Sequence, residues 1–504
     1  MSALAPVEPI SAQYRKTELW FRRVLFSLAA VALLCAVFQF GVMLWADNSF
    51  TGPESVVAAQ SMMLARNGTL YYALNGYPYT VSAYMPIFYL LEAGLYKFGL
   101  PAYTAGRIIS FLALLGLSVL CWRIVLLYTG NRYCAGMAAL FCASSCLLLS
   151  YGTVGQVDML AVFWGITAFY QCSRYLLRGE KTLLWAGLFA VLAFFTKQTM
   201  IALPATLCLL LSVQRRKVAL QFGIAVAGAI VALFVAIDAS LHGRFLADTV
   251  LANLNPFSLG KVWPHLMFML ATAGPLFLVA AAGARPAIRT GLQAPFAYLA
   301  AALLVFALTA PKIGSDVNYQ IEFTVVLILC ASVALHGLDF FALSFAGNRT
   351  WITLLQVPVA LFLVGNCKAS FQGALGRVAG EQMARTSVAE LRPYLFGGGR
   401  VISADYNAMT RIQQRITVEM LIYKLLVDGR VVNPEPVRRD LAAGAFSTVV
   451  LFEDVNHRDR NLDAELSTLP ESQLDEIMRH YRLVKRVNGF YVYQPAVPPA
   501  YLAQ

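Results

Sequence analysis

Two acidic residues lie beside apolar segments, and they are the first candidates for chemistry in this sequence. Glu54 follows the first long apolar run, and Asp158 lies in Gln156-Val157-Asp158, where a later run begins. A carboxylate in such a position can deprotonate a hydroxyl group or hold a cation. Each could instead cap a helix N-terminus, where negative charge is favourable. Because ionisable groups near membrane depth are costly, we favour a functional role, with Glu54 as the first candidate.

Cationic, amide and aromatic side chains accompany these acids. Lysine and arginine can pair with phosphate where a lipid headgroup meets a protein, and tyrosine, asparagine and glutamine supply walls and hydrogen bonds for a sugar. Lys197 could equally extend its charge to the membrane surface, and the tyrosines are also typical of an interfacial aromatic belt. The candidate substrate-binding residues are Asp47, Tyr84, Lys197, Gln198, Arg244, Lys312, Asn318 and Tyr319.

The composition is that of a polytopic membrane protein. Of 504 residues, 59% are hydrophobic and 13% are charged, whereas about a quarter of a soluble domain is charged. The net charge of +12 comes from short basic clusters between apolar runs, which is the positive-inside pattern and excludes nucleic acid as a partner. The nine cysteines are scattered and show no zinc-site spacing, so the sequence predicts no metal site of that kind.

The predicted orientation of the chain in the membrane depends on whether one segment, Tyr84–Gly99, crosses the bilayer. Its length of about 16 residues, its tyrosines and the charges of Glu92 and Lys97 favour a helix lying on the membrane surface. In that case every strong basic cluster falls on the cytoplasmic side; if the segment crossed the membrane, the later clusters would fall outside. We therefore predict a cytoplasmic N-terminus over residues 1–23 and a first outer loop with interfacial helices over residues 46–103.

The predicted fold is mainly α, with about eleven membrane spans in a module over residues 24–366. Two of the spans, Thr182–Thr196 and Thr199–Val213, are short and are expected to be tilted or broken. The predicted spans are Val24–Trp45, Thr104–Tyr128, Tyr133–Gly152, Val157–Leu177, Thr182–Thr196, Thr199–Val213, Val218–Leu241, Pro264–Ala284, Leu292–Thr309, Gln320–His336 and Trp351–Gly365.

Residues 367–504 have a soluble composition and are predicted to form a small α/β domain outside the cytoplasm. Arg400–Ala404 and Thr448–Phe452 are predicted as strands, and Ala408–Leu426 as an amphipathic helix. Tyr481–Tyr493 is predicted as a hairpin with its turn at Asn488-Gly489. The domain could bind an acceptor or pack over the site, and its residues indicate no chemistry of their own.

Four segments in the first 320 residues together resemble the GT-C superfamily of membrane glycosyltransferases. The similarity is greatest to the branch with the protein O-mannosyltransferases, the lipid A aminoarabinose transferase and the rhizobial core transferases. The segments are PESVVAAQSMMLARNGTLY with YMPIFYLLEAGLYKFG, then AGRIISFLALLGL, then VDMLAVFWGITAFY, then FFTKQTMIALP. Their order and spacing are more specific than any one of them.

The resemblance implies roles for several residues. In that superfamily the first outer loop carries an Asp-Glu pair, and a second acid opens the fourth span. Here the pair falls on Pro53-Glu54, so its aspartate is missing, and the YPP-like turn reads Tyr84-Met85-Pro86. Glu54 would be the base that activates the acceptor, Asp158 the second acid, and Lys197 a group near the lipid phosphate.

The predicted function is transfer of a sugar from a polyprenyl-phosphate-linked donor to an acceptor hydroxyl, with inversion. The acceptor could be a glycan, a lipid or a protein, and the site would lie on the outer face of the plasma (inner) membrane. One alternative is a transporter or flippase of a lipid-linked sugar, although no inverted repeat is visible. The missing aspartate also leaves open an inactive scaffold. Glu54 and Asp158 could share a divalent cation, but two carboxylates without histidine are a nonspecific signal.

Overall fold

The computed structural model describes residues 12–344, 349–397, 399–457 and 469–497. Most of the predicted cytoplasmic N-terminus therefore lies outside the described residues or is described by its backbone alone. The helices up to residue 395 are α1 (Ala12–Trp45), α2 (Gly52–Asn67), α3 (Pro86–Lys97), α4 (Ala102–Thr129), α5 (Arg132–Ser144), α6 (Cys146–Gly152), α7 (Val157–Arg178), α8 (Leu183–Phe194), α9 (Ala202–Gln214), α10 (Arg216–Ser240), α11 (Arg244–Thr249), α12 (Val262–Arg289), α13 (Ala294–Thr309), α14 (Ile321–Ser344) and α15 (Arg349–Leu395).

Several of these helices can cross a membrane. Among the described residues, five apolar segments are long enough, or six if the bent pair α5–α6 counts as one span. The bend between α5 and α6 is 59°, so the predicted span Tyr133–Gly152 is broken. The helices α8 and α9 have 12 and 13 residues, shorter than the roughly 20 that a span needs. The mainly helical membrane fold is confirmed, while the number of eleven crossings stays a prediction.

The core of the module lies around α7 and α14. The apolar window of α14 is 89% buried, because α12, α13 and α5 pack around it. In contrast, the window of α10 is only 11% buried, as expected for a helix whose apolar side chains face lipid. A helix that is apolar on all sides can be stable in the centre of a bundle or in a bilayer.

The helix α15 connects the module to the rest of the chain. It has 47 residues, or about 70 Å at 1.5 Å per residue, and its middle part packs along α1, with contacts such as Cys35–Cys367 and Phe38–Phe371. The predicted boundary at residue 367 falls inside this helix. The predicted span Trp351–Gly365 is thus the beginning of a helix that continues well past a bilayer thickness of about 30 Å.

The C-terminal region forms a four-stranded sheet with the order β1-β2-β4-β3. Strand β1 is parallel to β2, and β4 is antiparallel to both β2 and β3. The elements are β1 (Arg400–Ser403), α16 (Tyr406–Ala408), α17 (Met420–Asp428), α18 (Glu435–Ala442), β2 (Phe446–Leu451), α19 (Glu471–His480), β3 (Tyr481–Val487) and β4 (Phe490–Pro495). The predicted hairpin is present, with both turn residues at positive φ, +44° and +86°.

The prediction of one amphipathic helix over Ala408–Leu426 is wrong. The chain instead makes a short π-helical turn, then an extended stretch, and enters a helix again only at α17. Val418 pairs with Tyr79 of the first outer loop in a parallel bridge, and the Thr410 hydroxyl donates to the Ser55 carbonyl of α2. These contacts with another part of the chain offset the local helix propensity.

A buried carboxyl group fixes the position of α3. Ser61 of α2 donates to Glu92 Oε2 at 2.6 Å, while Glu92 Oε1 has no hydrogen-bond partner. A Cβ atom at Gly106 would lie 2.4 Å from that oxygen and 2.8 Å from the Gly155 Cα, so only glycine allows this approach of α3, α4 and the turn before α7. Burial raises the pKa of Glu92 to about 8, and the neutral acid is the form that fits there.

This burial makes stability depend on pH. The folded pKa of Glu92 is raised above its unfolded value near 4.5, so the stabilising contribution of the protonated form is present below pH 4.5 and is lost as pH rises through about 8. We expect the Tm of the wild type, minus that of Glu92→Gln, to fall between pH 5 and 8 in detergent and then level off. A difference that is constant across this range would contradict a neutral Glu92.

Candidate active site

The site is built on a buried ion pair between α2 and α4. Arg107 donates from Nε to Glu54 Oε1 at 2.8 Å and from Nη2 to Oε2 at 3.1 Å. Glu54 also accepts the Ser49 hydroxyl at 2.8 Å and the Gly155 amide at 2.9 Å. Both residues are fully buried. The Glu54 carboxylate is therefore saturated with donors, and one of those donors belongs to the turn that leads into α7.

Arg107 uses its remaining donors on the end of α1. Its Nη1 donates to the carbonyls of Met43 and Ala46, each at 2.6 Å, and its Nη2 donates to the Asn48 carbonyl at 2.7 Å. These are carbonyls that the end of a helix leaves without an internal partner. The guanidinium thus joins α1, α2 and α4.

The charge state of Glu54 follows from these contacts. Burial alone would raise its pKa, but the Arg107 charge and the hydrogen bonds from Arg107, Gly155 and Ser49 outweigh burial, so the pKa lies below its ordinary value. An acid with a lowered pKa and four donors is a poor proton acceptor. The prediction that Glu54 is the acceptor base stays a prediction, and its contacts favour a positioning role.

The second predicted acid is in a different situation. Asp158, in the first turn of α7, accepts from Lys197 Nζ at 2.5 Å and from Asn318 Nδ2 at 3.2 Å, both on Oδ1. Its Oδ2 has no partner. The Lys197 ammonium also lies 4.6 Å from the centre of the Tyr319 ring. The structure therefore brings four predicted site residues into one cluster, which we call the Asp158 cluster: Asp158, Lys197, Asn318 and Tyr319.

A small cavity of about 20 Å³ lies at the Asp158 cluster. Its volume is enough for about one water molecule. One side is polar, and the other side is an apolar face of α13 formed by Ala302, Val305 and Phe306. A cavity with a cation and a carboxylate at one end and an apolar helix face at the other suits a ligand with a charged head and a hydrocarbon tail.

The segment that carries Asn318 and Tyr319 is held by α12. His265 Nε2 lies 3.2 Å from the Ser315 hydroxyl, and Gln320 Nε2 donates to the His265 carbonyl at 3.0 Å. The Asp316 side chain caps the short turn that follows it by accepting the Val317 amide at 2.7 Å. These contacts fix the loop on both sides of Asn318 and Tyr319.

Two further predicted residues lie next to this cluster. Burial and the charge of Asp158 raise the pKa of Tyr84 well above its ordinary value. Gln198 Nε2 donates to the carbonyls of Ala83 and Thr249, at 2.8 and 3.1 Å. Gln198 therefore holds the backbone next to Tyr84.

Three predicted residues have contacts elsewhere. Asp47 is exposed and lies 4.0 Å from Arg385, and Lys312 Nζ donates to the Asn253 carbonyl at 3.0 Å. Arg244 is exposed at the start of α11. None of these three lines the Asp158 cavity.

Comparison with known proteins identifies the fold. Residues 84–240 match the family model of the dolichyl-phosphate-mannose-protein mannosyltransferases. The structure of ArnT from Cupriavidus metallidurans bound to undecaprenyl phosphate is similar at a TM-score of 0.60 and 16% identity, covering 93% of this chain and 97% of that one. Its apo state gives a TM-score of 0.62 at 13% identity, with coverage of 96% and 98%.

A second relative has a longer chain. The apo oligosaccharyltransferase from Archaeoglobus fulgidus gives a TM-score of 0.51 at 13% identity, covering 86% of this chain and 70% of that one. No curated protein matches the sequence. The chain has the fold of the GT-C superfamily. The predicted resemblance to that superfamily is thereby confirmed.

The candidate site contains groups that the sequence analysis did not predict. Arg107 lies in the segment AGRIISFLALLGL, yet a single arginine in an apolar run is an expensive residue that demands a partner, and this was a usable signal. Glu322 lines the Asp158 cavity and accepts the Tyr298 hydroxyl at 2.8 Å. Glu322 and Asp158 belong to no common sequence motif, so their proximity could not be predicted from the sequence.

The sharing of a divalent cation by Glu54 and Asp158 stays a hypothesis. Within the described ranges, no three histidine, cysteine or acidic side chains come together as metal ligands. The Glu54 oxygens accept hydrogen bonds from four donor groups, so a cation would first have to displace Arg107.

Breaking the buried ion pair should cost more than breaking a surface pair. We expect Glu54→Gln to lower the unfolding free energy by about 3–5 kcal/mol, because it leaves the Arg107 charge buried without its partner. Glu390→Gln is the matched control, since it removes the half-exposed partner of the half-exposed Lys485 and should cost about 1 kcal/mol or less. SDS titration in mixed micelles measures both; equal losses would contradict the role of the pair.

Proposed function

We propose that this protein is a membrane glycosyltransferase that moves a sugar from a polyprenyl-phosphate-linked donor to an acceptor hydroxyl. The observation that carries the proposal is the Asp158–Lys197 pair in a cavity whose other wall is the apolar face of α13. ArnT and the archaeal oligosaccharyltransferase have been seen with undecaprenyl phosphate and dolichol phosphate, respectively. The polar and apolar walls match the head and tail of a donor of the same chemical kind, for which this cavity of about 20 Å³ would have to open.

In the proposed complex, the lipid tail lies along α13 and the phosphate pairs with Lys197. A phosphate would compete with Asp158 for the ammonium group, because both are anions within reach of one cation. Binding of the donor would thus loosen the 2.5 Å contact between Lys197 and Asp158. The aspartate would then be available for the acceptor.

In the reaction, Asp158 Oδ2 accepts the proton of the acceptor hydroxyl. The acceptor oxygen forms a bond to the anomeric carbon while the bond from that carbon to the phosphate oxygen breaks. The leaving polyprenyl phosphate keeps the electron pair, and Lys197 stabilises its charge. A single displacement of this kind inverts the anomeric centre. Glu54, through the Gly155 amide, holds the turn that carries Asp158 in place.

The proposed site faces away from the cytoplasm. The opposite ends of the same helices carry the basic residues, such as Arg178 at the end of α7 and Arg216 at the start of α10. Basic residues are enriched on the cytoplasmic side of membrane proteins. The Asp158 cluster at the other end of α7 would then lie at the outer face, together with the C-terminal domain.

Two substitutions separate the proposed base from the proposed phosphate ligand. We expect Asp158→Asn to lower transfer about 10²–10⁴-fold, as for loss of a general base, while undecaprenyl phosphate still binds. Lys197→Met should weaken undecaprenyl phosphate binding at least tenfold. Transfer is measured with a panel of radiolabelled polyprenyl-phosphate sugars and whole-membrane acceptors, and binding by native mass spectrometry.

Asp238→Asn is the control, because this acid of α10 accepts the Leu246 amide at 2.8 Å and does not line the cavity. It should keep at least half of the transfer rate. Full activity of Asp158→Asn, or unchanged lipid binding by Lys197→Met, would reject these assignments. A wild-type protein that translocates a lipid-linked sugar without forming any glycosidic bond would instead support a flippase.

Labelling with a membrane-impermeant maleimide tests the orientation. The exposed residues His242 and Lys217 lie at opposite ends of α10, so a cysteine at each reports one side of the membrane. We expect His242→Cys to react in intact cells and Lys217→Cys only after permeabilisation. The parent chain, with its nine native cysteines, measures background; the reversed pattern would invert the proposed orientation.

A further inference from the structure

A second concave region lies where the first outer loop meets the C-terminal domain. Its volume is about 710 Å³, within the range of about 300–1,000 Å³ that is usual for ligand sites. None of its lining residues lines the Asp158 cavity. We call it the Arg430 groove, and its lining residues are Asn75, Tyr79, Val427, Arg430, Val431, Val432, Asn433, Pro434 and Pro436.

The groove carries an arginine, Arg430, that has no acidic partner among the described residues. Asp428 lies 3.7 Å from Lys424, and Glu435 accepts from Arg438 Nε at 2.9 Å, so the acids beside the groove have cations of their own. In the part of the chain that the structure describes, no carboxylate pairs with the exposed Arg430 side chain. A free guanidinium binds carboxylates and phosphates through two parallel hydrogen bonds.

The backbone holds Arg430 in place. Arg430 has a φ of +59°, a left-handed conformation that a residue with a Cβ rarely adopts. Its amide donates to the Val427 carbonyl at 2.9 Å, and the next amide, of Val431, donates to the Leu426 carbonyl at 2.8 Å. These bonds end α17 and present the arginine on the surface.

The other lining groups suit a carbohydrate. Asn75 and Asn433 are exposed, and Asn433 Oδ1 accepts the Glu435 amide at 3.0 Å, which leaves its NH₂ group for a ligand. The Tyr79 ring lies in an aromatic group with Tyr77 and Tyr423, at centroid distances of 4.9 and 5.1 Å. Amides, an aromatic ring and rigid prolines are the polar and apolar surfaces that a sugar contacts.

One segment connects the groove to the Asp158 cluster. Tyr79 is fixed to the C-terminal domain, because its amide donates to the Thr417 carbonyl at 2.9 Å and its carbonyl accepts the Glu419 amide at 2.7 Å. Four residues further on, the Ala83 carbonyl accepts from Gln198 Nε2 at 2.8 Å, and Gln198 directly follows Lys197. Four residues span at most about 14 Å. The groove therefore lies a short distance from the Asp158 cluster.

We infer that the Arg430 groove binds the non-reacting part of an anionic glycan acceptor. The inference rests on the proposed function, because it places the acceptor hydroxyl at Asp158 and the rest of the acceptor in the groove. Arg430 then selects acceptors that carry a carboxylate or phosphate group. A neutral glycan would keep the contacts with the amides and the aromatic ring but lose the charged one.

Binding of two oligosaccharide probes to the full-length protein in detergent tests the groove without activity. Tri-galacturonate is anionic and maltotriose is neutral; isothermal titration calorimetry measures both. We expect tri-galacturonate to bind the wild type at least fivefold more tightly than maltotriose. Arg430→Gln should weaken tri-galacturonate at least tenfold and leave maltotriose within twofold, and Arg430→Lys should lie between.

Arg439→Gln is the matched control, because this exposed arginine of α18 does not line the groove. It should bind tri-galacturonate within twofold of the wild type. Absence of tri-galacturonate binding, or equal binding by the wild type and Arg430→Gln, overturns the inference. Asp158→Asn should bind tri-galacturonate as tightly as the wild type does. Failure of the proposed function would therefore not change the result expected for Arg430→Gln.

Discussion

The Glu54–Arg107 ion pair is the constraint on which the arrangement of the site depends. An arginine in an apolar segment cannot be left without partners, because an unpaired buried charge costs several kcal/mol. The chain supplies those partners from the end of α1, from α2 and, through Glu54, from the turn before α7. Satisfying one guanidinium therefore brings together the segments that position Asp158.

The Glu54–Arg107 and Asp158–Lys197 ion pairs differ in what they leave unsatisfied. Both oxygens of Glu54 accept hydrogen bonds, so that pair is closed and suits a structural role. Asp158 has one oxygen without a partner, and its lysine lies beside an aromatic ring in a cavity. An open pair of this kind can exchange partners with a ligand, whereas a closed pair resists exchange because every donor would have to be replaced.

Much of the fold could be predicted from the sequence, since hydropathy and turn chemistry are local signals. The apolar runs predicted α1, α4 and α10, and Asn488-Gly489 predicted the hairpin of β3 and β4. The segment over Ala408–Leu426 failed because its conformation is set by Thr410 and Val418, which bond to residues more than 300 positions away. The 47-residue length of α15 was not predicted. The amino-acid composition changes from apolar to polar partway along this helix, while the backbone stays helical.

The candidate site shows the same division. Asp158, Lys197, Asn318 and Tyr319 could be found because polar residues at the ends of apolar segments are costly and informative. The different roles of Asp158 and Glu54 could not be predicted, because the role of an acid depends on how many hydrogen-bond donors surround its carboxylate. That number is fixed by Arg107 and by a backbone amide, and neither a distant arginine nor an amide has a spacing signature.

The membrane module and the C-terminal domain are coupled by buried polar contacts as well as by α15. Glu419 of the domain accepts the Thr80 hydroxyl at 3.0 Å and the Val81 amide at 3.2 Å, and Gln60 of α2 donates to Thr80 at 2.9 Å. Burial raises the pKa of Glu419 to about 7. Removing the domain would take this hydrogen-bond acceptor away from Thr80 and Val81. At its other end this segment is fixed beside Lys197, because Gln198 donates to the Ala83 carbonyl at 2.8 Å. The domain is therefore held in a defined position relative to the Asp158 cluster.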